Sequence, residues 1–207
     1  VLVTGGTDGI GKSLVLEFLS LGANVVTCGR SQQKIIALES EAPMGKLSVL
    51  NIDISNEKDC ERLVNHTVSN FGSIDVLINN GGVSQRSLAK DTHVRVDKKI
   101  FDINFFGTVA LTKSLLPVFM KQNEGQIVTI TSAVGKFGSP WRSGYSASKH
   151  ALHGFFDSLR AEMHKDNLEV LLVCPGFIQT NISVNALTGS GAKLGSMDAA
   201  TANGLTA

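Results

Sequence analysis

The sequence predicts a doubly wound α/β domain built on a parallel sheet, and three observations carry that prediction. Six short runs rich in valine, isoleucine and leucine recur along the chain: VLVTGG (1–6), ANVVTC (23–28), KLSVLNID (46–53), IDVLIN (74–79), QIVTIT (126–131) and LEVLLVC (168–174). Runs this apolar suit strands covered on both faces, as in a parallel sheet. The segments between them carry apolar residues at helical spacing, and that alternation is the signature of βαβ units. With no linker and no internal repeat, residues 1–207 are expected to form a single domain.

The elements follow in order. After the first strand comes TGGTDGIGK (4–12), a glycine-rich turn leading into a helix. In KSLVLEFLSLG (12–22), Leu14, Val15, Phe18 and Leu19 share one face, and Gly22 supplies the stop. Ser55 and Asn56 are N-cap candidates for a helix that carries Val64 and Val68 four apart. The stretch from Val94 to Lys121 reads as one long helix, with Pro117 straining its last turns. SGYSASKHALHGFF (143–156) reads as another helix, with Tyr145 and Lys149 on one face. After Thr180 the pattern fails, since residues 181–207 are small, polar and aperiodic. Either they form a flap or the chain ends before the last elements of its fold. A lid over a substrate is the better account of so long an irregular run.

Composition excludes several function classes. Nineteen basic against eighteen acidic residues leave a net charge of +1, so no nucleic acid is expected as partner. Cys28, Cys60 and Cys174 are odd in number, and they show neither a CxxC nor a metal-ligand spacing. That pattern fits a cytosol-like reducing compartment and no metal. His150, His153 and His164 read as solvated or interface residues. No signal peptide or membrane span is evident, and an anchor upstream of Val1 stays compatible with the sequence.

Gly5, Gly9 and Gly11 let the backbone turn sharply after the first strand, approach a pyrophosphate and begin a helix aimed at it. The spacing is not that of a nucleotide-hydrolase phosphate loop, which needs four residues between its glycines. A site for NAD places an acid about 20 residues further on, against the ribose 2′-hydroxyl. Gly29 stands there instead, followed by Arg30 and Ser31, which suit a 2′-phosphate, so NADP(H) is expected rather than NAD(H). Asp53 either caps a turn or meets an adenine amino group. NNGG (79–82) ends the fourth strand, where ligands collect in such folds.

Tyr145 is the only tyrosine, and Lys149 is expected to draw its pKa from near 10 toward the working range. Ser132, at the end of the fifth strand, is placed to donate to a carbonyl oxygen as charge develops there. Asn104, inside the long helix, is placed to hold a water that links Lys149 to solvent. Singly each residue has a plainer reading; together they supply an acid, its tuning charge, an oxyanion partner and a proton route.

Here a resemblance is plain. TGGTDGIG resembles the TGxxxGxG turn of the short-chain dehydrogenase/reductases, NNGG their NNAG element, YSASK their YxxxK motif and PGFIQT (175–180) their PGxxxT loop. The resemblance covers essentially the whole chain and implies a Rossmann fold and an NADP(H)-dependent oxidoreductase acting on a carbonyl or alcohol. It implies Tyr145 as acid/base, Ser132 as carbonyl partner, Asn104 as relay residue and Lys149 as tuning charge and ribose ligand. It further implies Gly5, Gly9, Ile10 and Gly11 around the pyrophosphate, with Thr7 and Asp8 of the same turn. Asp53 and Ile54 would line the adenine, Asn80 and Gly81 the ribose, and Pro175, Gly176, Ile178 and Thr180 the carboxamide end. Gly81 replaces the family's alanine, and the family's last strand and helix are not in this chain.

NNGGVSQRSL and NISVNALTG are similar to the member-seven subgroup of dehydrogenase/reductases, which implies a bulky apolar substrate of lipid, steroid or retinoid type. Val83, Val134, Phe137, Trp141 and Phe177 form either an apolar wall near Tyr145 or ordinary core. By the same resemblance a homodimer or homotetramer is expected. The competing readings are a non-catalytic dinucleotide sensor, against which the four catalytic residues argue, and a reductase of acyl-carrier thioesters, for which no basic docking patch speaks.

Overall fold

Alternation along each strand sorts its side chains into two layers. The computed structural model describes residues 1–42 and 45–207. Its strands β1 (Leu2–Thr4), β2 (Val25–Gly29), β3 (Leu47–Asn51), β4 (Val76–Asn79), β5 (Gly125–Ile130) and β6 (Leu168–Val173) form one parallel sheet in the order β3-β2-β1-β4-β5-β6. Leu2, Val26, Leu77 and Ile127 face one side. They are buried there with Leu63 and Val64 of α3 (Glu57–Phe71), Leu111 and Phe119 of α5 (Thr108–Gln122), and Leu152 and Phe156 of α6 (Ser143–Glu162). Val3, Val25 and Ile78 face the other side, against Val15 and Leu19 of α1 (Gly9–Ser20) and Leu38 of α2 (Gln32–Glu41). Each large apolar side chain so buried is worth roughly 1.5–3 kcal/mol. Cover of this second face thins toward β6, where Leu171 is half exposed.

The local signals act where they stand. Asn56, and not Ser55, caps α3, accepting from the N–H groups of Lys58 and Asp59 at 3.0 and 3.4 Å. Gly22, at φ 88°, follows the end of α1 and returns its N–H to Leu19 O at 3.0 Å.

The long helix departs from expectation. It is α-helical from Val94 to Phe101 (α4), widens to a π turn over Asp102–Gly107, and resumes as α5 past Pro117 to Gln122. The Thr108 hydroxyl donates to Asn104 O at 2.9 Å within this widened turn. The widening carries Gly107 so close to the loop after β3 that a Cβ there would lie 2.3 Å from Ile54 O. π turns of this kind recur at functional sites.

Residues 181–207 acquire their structure from tertiary contacts. Ser84 O accepts from Leu187 N, and Leu187 O from Arg86 N, both at 2.9 Å. Ser183 and Ala186 are fully buried, and the Arg86 guanidinium bonds Asp198 at 2.6 Å. A short helix, α7 (Ala199–Ala202), and a two-residue pairing of β7 (Ile178–Gln179) with β8 (Leu205–Thr206) close the segment.

Candidate active site

Strand order reverses between β1 and β4, and such a reversal opens a crevice at the carboxyl ends of the strands. The glycine turn lies at that point. Gly5 adopts φ 67° and approaches the β4 loop so closely that a Cβ would meet Gly81 Cα at 3.0 Å. A Cβ on Gly11 would lie 2.4 Å from both Gly5 O and Asn80 Nδ2. Asn80 therefore acts as a brace, donating to Thr4 O at 3.0 Å, while Thr4 Oγ1 accepts from the N–H groups of Asn80 and Gly81 at 2.9 Å each. Gly81 packs on Ile54, whose Cδ1 would be 3.0 Å from an alanine methyl; the departure from the family's alanine relieves that contact.

Asp8 caps α1 through Gly9 N at 2.9 Å, leaving the first-turn N–H groups of Ile10 and Gly11 for an anion. Burial pushes the Asp8 carboxyl up, but bonds from Lys34 and Asn181 outweigh it and hold the group below its usual range. Lys34 thus offsets a negative charge that would otherwise repel a pyrophosphate. A bare-backbone cradle facing a helix N-terminus, with its one acid neutralised, fits a dinucleotide. Thr180 closes over it, since a Cβ on Gly9 would meet Thr180 Cγ2 at 2.9 Å. Pro175 O accepts from Ala133 N at 2.9 Å, and Ile178 is held in β7, so the 175–180 loop is anchored at both ends.

At the ends of β2 and β3, the Arg30 guanidinium stands 3.9 Å from Asp53 Oδ2, with both side chains largely exposed. The other Asp53 oxygen turns the chain by accepting from Ser55 N and Oγ at 3.1 and 2.7 Å. Ser31 occupies the N-cap position of α2, yet its side chain makes no cap bond. Thr7 explains the missing acid: a Cβ on Gly29 would lie 2.5 Å from Thr7 Oγ1.

The fifth strand and α6 bring Ser132, Tyr145 and Lys149 together. Ser132 caps a single 3-10 turn, Ala133–Gly135, accepting from Val134 N at 3.4 Å. Burial raises the Tyr145 phenol, while a hydrogen bond with Ser132 and the charges of Arg86 and Arg142 pull it the other way without prevailing. The expectation that Lys149 depresses this phenol is not met, since Lys149 is not among the groups that pull it down. Lys149 Nζ instead donates to Ile130 O at 2.8 Å, 5.9 Å from the Tyr145 ring centre, and burial draws its own pKa down to about 8. Asn104 is fully buried in the π turn, and its amide is spent on protein. Oδ1 accepts from Val83 N at 2.8 Å, and Nδ2 donates to Val83 O at 2.9 Å and Ser148 Oγ at 3.0 Å.

The aromatic residues near this centre are rim, not core. Phe137, Trp141 and Phe177 are each about half exposed, and Val83 and Val134 are partly buried. Trp141 sits at φ 68°, a strained region for a bulky residue, while its carbonyl accepts from Ser87 N at 3.0 Å. Arg142 lies over the Phe177 ring at 5.5 Å. Sequence reasoning missed Lys34, Ser148, Arg86 and Arg142, whose roles come from partners distant in the chain. Only for Ser148, three residues after Tyr145 and bonded to Tyr145 O at 2.7 Å, could helical spacing have found the contact.

Known proteins share this fold and family. The family model for short chain dehydrogenase matches residues 1–190. A dehydrogenase/reductase SDR family protein 7-like of Anopheles gambiae is 45% identical over 99% of this chain and 67% of its own length. Dehydrogenase/reductase SDR family member 7B of Mus musculus is 43% identical over 100% of this chain and 66% of its own. The chain thus spans about two thirds of the length of these curated relatives. Among solved structures, ElxO with NADP bound is 33% identical with TM-score 0.81, covering 86% of this chain and 73% of that one. Levodione reductase is 26% identical with TM-score 0.84, covering 87% of this chain and 72% of that one. From motif order, sheet order and these matches, the chain belongs to the short-chain dehydrogenase/reductase family of oxidoreductases.

Proposed function

We propose that this protein is an NADP(H)-dependent oxidoreductase interconverting a carbonyl and an alcohol on a bulky, apolar substrate. The observation that carries the reading is the convergence of Ser132, just past the carboxyl end of β5, on the buried Tyr145 phenol of α6, near enough for the serine hydroxyl to act on that phenol, with buried Lys149 one helical turn along α6. When bound, the nicotinamide supplies or accepts a hydride. Ser132 and Tyr145 polarise the carbonyl oxygen, and Tyr145 transfers the proton. Lys149 would hold the nicotinamide ribose and, on leaving Ile130 O, would lower the phenol. Asn104 holds the β4 loop to α6 through its side chain.

Arg30, beside a Ser31 hydroxyl that makes no cap bond, supports preference for a 2′-phosphate. The NADP named for ElxO points the same way. The half-exposed rim of Phe137, Trp141 and Phe177 supports an apolar substrate. Exposed Phe106 and Met120 on the long helix support assembly into a homodimer or homotetramer. A reducing compartment remains our reading of the three unpaired cysteines.

The test follows NADPH and NADH oxidation against a panel of long-chain ketones, steroid ketones and retinal, beside Tyr145→Phe. Turnover with NADPH that falls ~10²–10⁴-fold in the variant, with cofactor affinity unchanged, supports the assignment. A strong NADH preference overturns the cofactor reading, and full activity of the variant overturns the acid.

A further inference from the structure

The first turn of α6 presents N–H groups that no residue of the helix itself can satisfy. Its N-cap residue, Arg142, offers no side-chain bond. The cap comes instead from 60 residues upstream: Gln85 Oε1 accepts from Gly144 N at 2.8 Å and from Tyr145 N at 3.2 Å. Gln85 is fully buried, and its amide nitrogen donates to Thr92 Oγ1 at 3.1 Å, which fixes which end of the amide faces the helix. Residue 144 must be small for this approach, since a Cβ there would lie 3.1 Å from Gln85 Oε1 and 2.3 Å from Asp97 Oδ1.

The loop that carries Gln85 is itself held on both sides. Its start is clamped by the Asn104 amide at Val83, and its far side pairs with Leu187 of the C-terminal segment. Tyr145 is consequently gripped at both of its peptide groups. Its N–H rests on Gln85, and its C=O accepts from Ser148 Oγ at 2.7 Å, which Asn104 holds in turn.

We propose that Gln85 is a positioning residue for the reaction, setting the phenol of Tyr145 by capping α6 and tying that setting to the docked segment 183–198. The inference rests on the reading of Tyr145 as the acid. Misplacement of a reacting group by about 1 Å lowers rate on the order of 10²-fold. Gln85→Leu keeps the volume and removes the acceptor, whereas Gln85→Glu keeps the acceptor and adds a charge that the helix N-terminus favours and the nearby Asp97 opposes.

Because Tyr145 is the only tyrosine, tyrosine labelled at its phenolic carbon gives a single resonance that reports the phenol without any substrate. In Gln85→Leu that resonance is expected to broaden and its titration to fall toward the free value near 10. The same variant is expected to lose ~10²-fold in kcat for whichever long-chain ketone the wild type reduces, with NADPH affinity and KM unchanged. Gln85→Glu is expected to restore both readouts to within several-fold. An unmoved Tyr145 resonance in Gln85→Leu overturns the proposal, as does equal loss in both variants or a parallel loss of cofactor affinity. An active Tyr145→Phe would remove the acid while leaving the resonance test standing, so the two failures are distinguishable.

Discussion

Lys149 is only 5% exposed, and burial draws its pKa from 10.5 to about 8. The folded protein therefore binds this proton less tightly than the unfolded chain does. Below pH 8 the full penalty for holding the charge applies, and it is relieved as pH rises from about 8 toward 10.5. At about 1.4 kcal/mol per pH unit the penalty is roughly 3 kcal/mol. Lys149→Met removes the charge but leaves Ile130 O without the Nζ donor, a loss of about 1–3 kcal/mol. Near pH 7 the variant should therefore be about 1 kcal/mol more stable than wild type, or roughly 2–4 °C higher in Tm. By about pH 10 the wild type should gain ~2.5 kcal/mol that the variant does not, which inverts their order. Urea unfolding of both cofactor-free proteins at the two pH values reads this difference directly. A gap that stays constant with pH would refute the burial argument, and with it the picture of a lysine poised to lose its proton.

Other expectations are equally concrete. Arg30→Glu should lower the NADPH-to-NADH ratio of kcat/KM by ~10–100-fold, since a charge-assisted bond to the 2′-phosphate is worth about 1.5–3 kcal/mol; an unchanged ratio would assign Arg30 to solvent. Gly11→Ala places a methyl 2.4 Å from Gly5 O and Asn80 Nδ2, so thermal unfolding should show a loss of about 1–3 kcal/mol together with weakened cofactor binding. Burial pushes Cys28 up to about 11 and Cys60 up to about 12, whereas Cys174 is exposed. A thiol reagent at neutral pH should therefore modify Cys174 alone until the protein is unfolded, and prompt reaction of all three would contradict the packing.

The sequence by itself determined whatever depends on near neighbours in the chain. A near-continuous apolar run such as VLV or IDVLI suffices to call a buried strand, because burial on both faces is a local demand on composition. The glycine turn was legible because a sharp turn and a close backbone approach need φ values and space that only glycine supplies. The spacing of Tyr145 and Lys149 was legible because one helical turn joins them.

Tertiary structure decided what depends on partners far apart in sequence. Asn104 was expected inside one regular helix, holding a water; the contact of Gly107 with Ile54 O accompanies a π turn that aims its amide at Val83 and Ser148. Lys149 looked like the partner of the Tyr145 phenol, yet it bonds a main-chain carbonyl of β5. Residues 181–207 looked irregular because their order comes from Leu187 and Asp198 meeting residues 84–86, a contact without local period. Gln85 lies within NNGGVSQRSL but gave no sign of its cap, which exists only once the loop after β4 meets the start of α6.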